Sequence, residues 1–495
     1  MPAELESATT VDSAGNTVTA ASATAMSGGK LETLCVAIVD PISTGACLAK
    51  HLSSQGYRLC RVFSDTIPDS VKALVAAGLE VDWEVTIQHE GRVASTLAAL
   101  RGVGVTHLLV GSEPGVSLHA ELSAAFAGGA ALSLPREALE LRRNKYLQSE
   151  AIRSAGCDAA VVKPVEGAGS DGVTICNSAA EVRLAFGKLE GTKNILGLDN
   201  YAVLCQEYLE GDEWVVDTVS RAGEHKVVAL WKYDKRDYHG SPVVYHGMRL
   251  HNVEADEPLL RGMVAYVTAV LDALGITDGA MHSEIMATAR GPVLVEVNCR
   301  LHGGEGIWLP IAEACLGYTQ VSALCDSAFA PPAFASLPAT PRSPLLKHGA
   351  WVTIRSPADG TITAVHHEKL ARIRALPSFL GEYCAPCIKV GCRIRQTVDA
   401  TTVHADAATL EADYRVAQQL IDEGLFAFTP AAAGEKDVVR VETPKGPRFS
   451  YQLSEQEQVQ NSLWGLQHIW RPLEENSGAV PLRKLRAVRR SGWRF

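Results

Sequence analysis

The chain of 495 residues carries 47% hydrophobic and 21% charged side chains, enough to bury large cores, and its length suggests about three domains. A formal net charge of −10 and a sequence pI near 5.9 exclude the broad basic surface that a nucleic-acid partner requires. No stretch of about 18 apolar residues occurs, so no membrane-spanning helix is expected.

Residues 1–30 are rich in Ser, Thr and Ala, hold no arginine, and reach their first lysine at Lys30. They lack the basic and apolar regions of a secretory leader and the arginines of a transit peptide, and read as a disordered tail. Twelve cysteines lie scattered through the chain. Cys35, Cys205 and Cys299 fall in apolar strand-like runs, where a free thiol acts as a small hydrophobe, which implies a reducing, cytoplasmic compartment. Cys384-x-x-Cys387 with Cys392 nearby is half of a zinc pattern; without a second pair at ligand spacing it is assigned no zinc.

From Leu34 an α/β rhythm begins: LCVAIVD as a buried strand, TGACLAKHLSSQG as a short amphipathic helix, YRLCRVFS and VTHLLVG as further strands. Residues 31–140 therefore predict a doubly wound parallel sheet. Its first strand ends in DPISTGA, without G-x-G-x-x-G, so the topology is Rossmann-like and the dinucleotide fingerprint is missing. Gly111-Ser112-Glu113 suits an ordinary turn better than the border of a substrate pocket, in which Glu113 would be the contact.

A literal G-x-G-x-x-G stands at Gly167, Gly169 and Gly172 in VVKPVEGAGSDGVTIC, with Ser170 between them. It leaves one strand and enters another, VTIC, instead of opening a helix. Backbone N–H groups of such a hairpin can close over phosphates, with Lys163 supplying a point charge, although a plain surface turn has the same composition. Further on, AVLCQEYLEGDEWVVDTV reads as a strand, a break at Glu210-Gly211 and a second strand. A hairpin turn would look alike; a slot between two lobes would let Gln206, Glu207, Tyr208 and Leu209 meet an adenine edge and Glu213 accept ribose hydroxyls. WKYDKRDYHGSPVVYHGMRLH, dense in Lys, Arg, His and Tyr, predicts a loop over the site in which Lys232, Arg236 or His246 could meet a substrate carboxylate or phosphate, although a solvated position is the plainer reading for each of the three.

DGAMHSEIMATAR and GPVLVEVNCRLHGGEG predict a hairpin turning near Ala289 to Gly291. Strand alternation puts His282 and Glu284 on one face, joined by Glu296, Asn298 and Arg300 from the second strand, and sets Glu284 beside Glu296. Two facing carboxylates repel unless a cation lies between them, and an all-oxygen trio of Glu284, Glu296 and Asn298 suits Mg2+ (or Mn2+) that keeps positions for water and phosphate oxygens. A half-exposed hairpin with a solvated polar face is the plainer alternative. Arg300 in the same row and the glycines of LHGGEG, which bring backbone N–H groups close to an anion before a helix near Ile307, favour phosphoryl transfer. His282 suits either a substrate contact or a structural histidine.

After a Pro-rich linker at 331–344, residues 346–430 predict a β-rich unit ending in the helix ATLEADYRVAQQLIDEGLF. Residues 431–495 match no recognised unit, and the basic LRKLRAVRRSGWRF reads as a solvated tail.

The ordered set of a lysine in RRNKYLQSEAIRSAG, the VVKPVEGAGSDGV loop, LCQEYLEGDEW, GAMHSEIM and VLVEVNCRLHGG resembles the ATP-grasp superfamily over roughly residues 31–430. Within it, HxE followed by ExNxR and paired glycines is most similar to carboxylate-amine ligases of the L-amino acid ligase (dipeptide synthetase) and carnosine-synthase type. The resemblance implies an α/β fold: an N-terminal pre-ATP-grasp domain at 31–140, an ATP-grasp domain at 141–345 with a lid at about 160–212, and a small C-terminal domain at 346–430. It implies that Lys145 and Lys163 hold ATP phosphates, that Gly167 to Gly172 form the lid loop, and that Gln206, Glu207 and Leu209 hold adenine and Glu213 ribose. It further implies Glu284, Glu296 and Asn298 as magnesium ligands, with Arg300 steadying the reacting carboxyl beside Gly303 and Gly304. Only 17 residues separate Lys145 from Lys163, fewer than such proteins usually have.

The implied reaction activates a carboxylate, expected to be an amino acid, as an acyl phosphate that a neutral amine then attacks. The implied partners are small-molecule carboxylate and amine substrates, neither nucleic acid nor membrane, with a homodimer as one assembly open to it. Bicarbonate or a purine intermediate as acceptor, and a non-catalytic ATP-binding module, are the alternative readings.

Overall fold

The structure, a computed structural model, describes residues 10–11, 17–18, 34–67, 72, 81–126, 144–145, 147–148, 163–164, 172–176, 179–193, 200–205, 207–238, 241–253, 258–355, 360–383, 390–391, 393–394, 398–430, 438–441 and 449–452. Two compact units divide the chain, Met1–Thr33 and Leu34–Phe495. Within the first, Thr10–Val11 pairs antiparallel with Thr17–Val18, a short ladder of β-branched residues where composition predicts a disordered tail. The Cys384, Cys387 and Cys392 pattern and the basic segment 482–495 lie outside the described residues.

The second unit opens with strands β1 (Cys35–Val39), β2 (Arg58–Phe63), β3 (Trp83–Gln88) and β4 (His107–Val110), parallel and ordered β3-β2-β1-β4. Near-continuous apolar runs such as CVAIV form these strands because helices cover both faces: α1 (Thr44–Ser54), α2 (Val93–Val103) and α3 (Val116–Ala125). Cys35 and Cys299 are buried free thiols as expected, whereas Cys205 is exposed.

A short ladder of β5 (Lys163–Pro164) and β6 (Val203–Leu204) precedes the main sheet. That sheet holds eight strands: β7 (Asp212–Arg221), β8 (Glu224–Tyr238), β9 (Ser241–His251), β10 (Gly279–Thr288), β11 (Gly291–Asn298), β12 (His348–Ile354), β14 (Phe379–Tyr383) and β16 (Val398–His404), ordered β11-β10-β7-β8-β9-β12-β16-β14. Strands β13 (Gly360–Val365), β15 (Arg393–Ile394) and β17 (Phe426–Pro430) make a separate three-stranded sheet.

Three expectations change here. The segment 231–251, read as a loop, forms the long paired strands β8 and β9, because its Val, Tyr and Met alternation outweighs its charges. The boundary at 345 falls inside one sheet: β12 pairs with β9 and covers what would otherwise be an open edge. Val173–Cys176, predicted as a strand, carries no regular structure.

One face of the β7, β10 and β11 region packs on α4 (Pro258–Ala273), burying Val216, Ile285, Leu294 and Val297 against Met263, Val267 and Val270. Each such side chain contributes about 1.5–3 kcal/mol by leaving water. On the other face, Val215, Val219 and Trp231 join a core with α5 (Leu309–Leu316), α6 (Gln320–Phe329) and α1 of the first sheet. The remaining end of that face is polar.

The loops that leave β1 and β4 meet where the strand order reverses, and two glycines let them touch. A Cβ on Gly45 would strike the Gly111 backbone, and one on Gly111 would strike the Asp40 carbonyl, with Pro41 Cα 2.9 Å away. From this edge Thr44 Oγ1 donates to the carbonyls of His302 and Gly303 at 2.6 and 3.2 Å, and the Glu305 N–H donates to Ser43 Oγ at 3.3 Å. The first sheet thus clamps the loop 302–306. Ser43 and Glu305, which meet there, hold left-handed φ values of 52° and 56°, a strain worth about 1–3 kcal/mol each that the clamp must offset.

Two outcomes are expected. Gly111→Ala forces backbone apart and lowers stability by about 1–3 kcal/mol, while Gly102→Ala, open around its Cβ within α2, is neutral or stabilising by up to about 1 kcal/mol; melting curves separate them. Glu305 Oε2 is enclosed without a partner, and burial, opposed by the Ser43 hydroxyl, pushes this carboxyl up to about 7. A raised carboxyl gives stability that is whole below its unfolded value of 4.5 and lost as pH rises through about 7. Glu305→Gln should therefore raise the melting temperature over the parent at about pH 8 and match the parent at about pH 4.

Candidate active site

The polar end of the main sheet is built by register. β10 and β11 pair antiparallel with His282 opposite Asn298 and Glu284 opposite Glu296, and a bulge then skips Val295. β7 lies on the other side of β10, with Asp217 opposite His282 and Glu213 opposite Met286. Glu213, Asp217, His282, Glu284, Glu296 and Asn298 therefore share one face.

Each side chain of this face is tied to a neighbour. Asn298 Nδ2 donates to Glu296 Oε1 at 3.0 Å, and Lys145 Nζ lies 3.3 Å from Glu296 Oε2. Arg300 donates from Nε to Glu113 Oε2 at 2.7 Å, from NH1 to the Leu301 carbonyl at 3.0 Å and from NH2 to Asn298 Oδ1 at 3.4 Å. Glu113 lies in the turn that follows β4 of the first sheet, so the site is completed across the clamp.

Glu213 pairs with Lys235 at 2.5 Å, and Lys235 lies over the rings of Tyr233 and Tyr245 at 4.5 and 4.4 Å. Burial raises the Glu213 carboxyl, Lys235 pulls it down, and Glu284 and Glu296 push it up again. Three carboxylates thus share one negative field. Glu284, Glu296 and Asn298 together offer only oxygen donors, a set that suits a hard divalent cation, and such a cation would relieve that field.

Beneath the carboxylates lies a hub on Asp217, which is fully buried. Its Oδ1 meets His282 Nδ1 at 3.1 Å; its Oδ2 meets His302 Nδ1 at 2.9 Å and accepts from Trp231 Nε1 at 2.9 Å. Burial alone would raise this carboxyl, but His302 and His282 outweigh it and hold it below the usual carboxylate range. An ionised carboxylate only accepts, so both imidazoles donate from Nδ1. Burial works against charge on His282, yet its bonds to Asp217 and Glu284 raise it to about 9, so its Nε2 donates toward Glu284 Oε1 at 3.4 Å.

Among the remaining predicted residues, Gly303 and Gly304 sit in the clamped loop, Gly304 with φ 66° beside the Trp351 ring. Lys163 lies on β5 opposite Leu204. Gly172 has φ 68°, whereas Gly167, Gly169, Ser170 and Gln206 lie outside the described residues. Leu209 is buried, Tyr208 is exposed, and Glu207 pairs with Arg290 at 2.8 Å on the surface. Lys232 pairs with Asp212, and Arg236 with Asp234.

His246 is corrected: it is buried on the opposite side of the sheet, where Gln418 of α7 (Ala407–Asp422) bonds its carbonyl at 2.7 Å and Arg355, Arg236, Asp234 and Asp422 set its field. The bulge between Asp234 and Lys235 turns it away from Tyr245 and the carboxylates. Sequence reasoning missed Asp217, His302 and Lys235. An acid inside VVDTV, where an apolar residue is expected, is the signal that would have drawn attention to Asp217.

Residues 158–308 match the family model of the ATP-grasp domain. Dapdiamide A synthase of Enterobacter agglomerans is 30% identical over 374 residues, which cover 70% of this chain and 86% of that relative. The crystal structure of an L-amino acid ligase from Bacillus licheniformis has the same fold, with a TM-score of 0.62 at 16% identity over 81% of this chain and 99% of that one. So has the biotin carboxylase domain of 2-oxoglutarate carboxylase from Hydrogenobacter thermophilus, in complex with MgADP, ADP and bicarbonate, with a TM-score of 0.52 at 12% identity over 80% and 90%. With a relative of that identity spanned over most of its length, the chain belongs to the ATP-grasp superfamily, as an ATP-dependent carboxylate-amine ligase.

Proposed function

We propose that the chain condenses two amino acids: the carboxyl of one is activated by ATP as an acyl phosphate, and the amino group of the other displaces phosphate. The observation that carries this reading is the opposed pair Glu284 and Glu296, with Asn298 bonded to Glu296, Lys145 beside it and Arg300 bonded to Asn298. The L-amino acid ligase fold supports it.

Held by Glu284, Glu296 and Asn298, Mg2+ or Mn2+ would neutralise phosphate charge and polarise the γ-phosphoryl group. The MgADP in the biotin carboxylase relative supports that choice of ion. Lys145, which here faces Glu296, would turn to phosphate oxygens when nucleotide enters, with Lys163 of β5 as the second cation. Gly167 to Gly172 would close over the phosphates, Gln206 to Leu209 would hold adenine, and Glu213 would accept the ribose hydroxyls.

Arg300 aligns the substrate carboxylate and takes up the charge of a loose phosphoryl-transfer transition state. Its fixed fork, already oriented by Glu113 and the Leu301 carbonyl, needs little reorganisation. Arg300 and the N–H groups of Gly303 and Gly304 would then stabilise the oxyanion of the amine adduct. Glu113 and His282 are the candidates to orient substrate polar groups.

A screen of amino acid pairs for phosphate release, with mass detection of the condensed product, tests the reading; phosphate release that no pair raises above the ATP-only background would overturn it. In the active pair, Glu296→Gln should cut phosphate release about 100-fold or more and move the Mg2+ titration to higher concentration.

A further inference from the structure

We propose that His302 is the base that takes the proton from the incoming amine, held in place by Asp217; this rests on the acyl-phosphate reading above. An amino acid reaches the site as an ammonium ion, which has no lone pair to attack with until a proton is removed. The ligation therefore needs a base that is unprotonated near neutral pH and reaches the cleft.

The other candidates in the site are engaged. Glu284 and Glu296 serve the cation site, and His282 is bonded at both ring nitrogens, to Asp217 at 3.1 Å and to Glu284 at 3.4 Å. Glu113 is held by Arg300, and Glu213 by Lys235. Glu305 is turned into the clamp against Ser43.

His302 differs. Its Nδ1 donates to Asp217 Oδ2 at 2.9 Å, which fixes the tautomer and leaves the lone pair on Nε2. Among the described residues no protein group bonds Nε2, and that atom is not one of the enclosed orphans. The ring is stacked on Trp308 at 5.3 Å and set edge-on to Trp231 and Trp351, so it cannot swing. The charged groups that act on it are Asp217 from β7, His282 from β10 and Arg300 from its own loop; the three tryptophans are neutral. Burial lowers its affinity for a proton, Asp217 opposes this, and His282 and Arg300 lower it further, so the ring is neutral before reaction.

The step balances as follows. Nε2 accepts one proton from the ammonium group, and the freed lone pair forms the C–N bond to the acyl carbon. The C–O bond to phosphate breaks with its electron pair going to phosphate oxygen, which takes the second proton lost from nitrogen. His302 returns its proton to solvent as product leaves. Asp217 is a positioning residue here, acting through the imidazole it aligns.

The test uses the full chain, the amino acid pair chosen by the phosphate-release screen, and hydroxylamine, a nucleophile largely uncharged at neutral pH. His302→Asn should slow amide formation about 100-fold or more, while hydroxamate formation changes by less than about tenfold. The lost amide rate should return by about tenfold per pH unit as solution supplies the free amine, a rise the parent lacks. Asp217→Asn should shift the amide-to-hydroxamate ratio in the same direction. Because that ratio cancels the amount of folded enzyme, it remains decisive if a variant melts early, and His302→Gln gives a second reading. Parallel loss with both nucleophiles, or an amide rate that His302→Asn leaves intact, overturns the assignment of His302. A parent chain that makes no hydroxamate overturns the acyl-phosphate reading, and this inference with it.

Discussion

The opposition of Glu284 and Glu296 across one strand register is the constraint around which the rest of the site is arranged. Two unit charges about 4 Å apart repel by about 4 kcal/mol at the effective dielectric of a protein surface, and more when half-buried. Nothing in strand propensity favours that arrangement, so the surroundings must supply the compensation: Lys145 beside Glu296, Asn298 donating to it, and the His282 imidazolium behind Glu284. Each compensating group is a hydrogen-bond donor or a cation whose role a divalent ion can supplement or replace. A binding face that is electrostatically frustrated when empty gains more on being filled than one already neutral.

The first sheet contributes to this face by giving up the role its topology suggests. Its strand order reverses between β1 and β4, the place where open α/β sheets usually bind ligands. Here the backbones of Gly45 and Gly111 meet so closely that no phosphate fits between them, and Thr44 spends its hydroxyl on the carbonyls of His302 and Gly303. The loop after β4 instead sends Glu113 to Arg300 at 2.7 Å. The missing G-x-G-x-x-G in DPISTGA and the acid in GSEPG have the same origin: this edge recognises another part of its own chain.

How much of this was legible follows the range of the interactions. The hairpin and its register could be read because alternation is local: His282, Glu284, Glu296 and Asn298 lie on two strands joined by a short turn, and Arg300 follows two residues beyond the second. The parallel strands of the first sheet and the helix α7, capped by Asp406 through the Thr409 N–H, were equally local. What escaped was the long-range part. His302 and Asp217 are 85 residues apart, and their pairing depends on which strand lies beside β10, a matter that no window of sequence contains. His246 was misjudged because a single bulge in β9 reverses which side a residue faces, and bulges leave little trace in composition. The join of β9 to β12 was missed because a proline-rich stretch reads as a linker whether the chain departs or returns to the same sheet.

Asp217, His282 and His302 bring three ligand atoms close enough to suggest a second metal site, and their bonding argues for a hydrogen-bonded hub instead. A bound ion would need the carboxylate and both Nδ1 lone pairs directed at one point about 2.0–2.2 Å away. Asp217 Oδ2 already accepts from Trp231 Nε1, a donor that cannot coordinate a cation, and from His302 Nδ1 at nearly the same distance. With the carboxyl held ionised and both imidazoles donating to it, the Nδ1 lone pairs that a metal requires are absent. The polarity of the hub is thereby fixed outward: every proton on Nδ1 points at Asp217, and the chemistry of the two rings is left to their Nε2 atoms, one turned to Glu284 and one without a protein partner among the described residues.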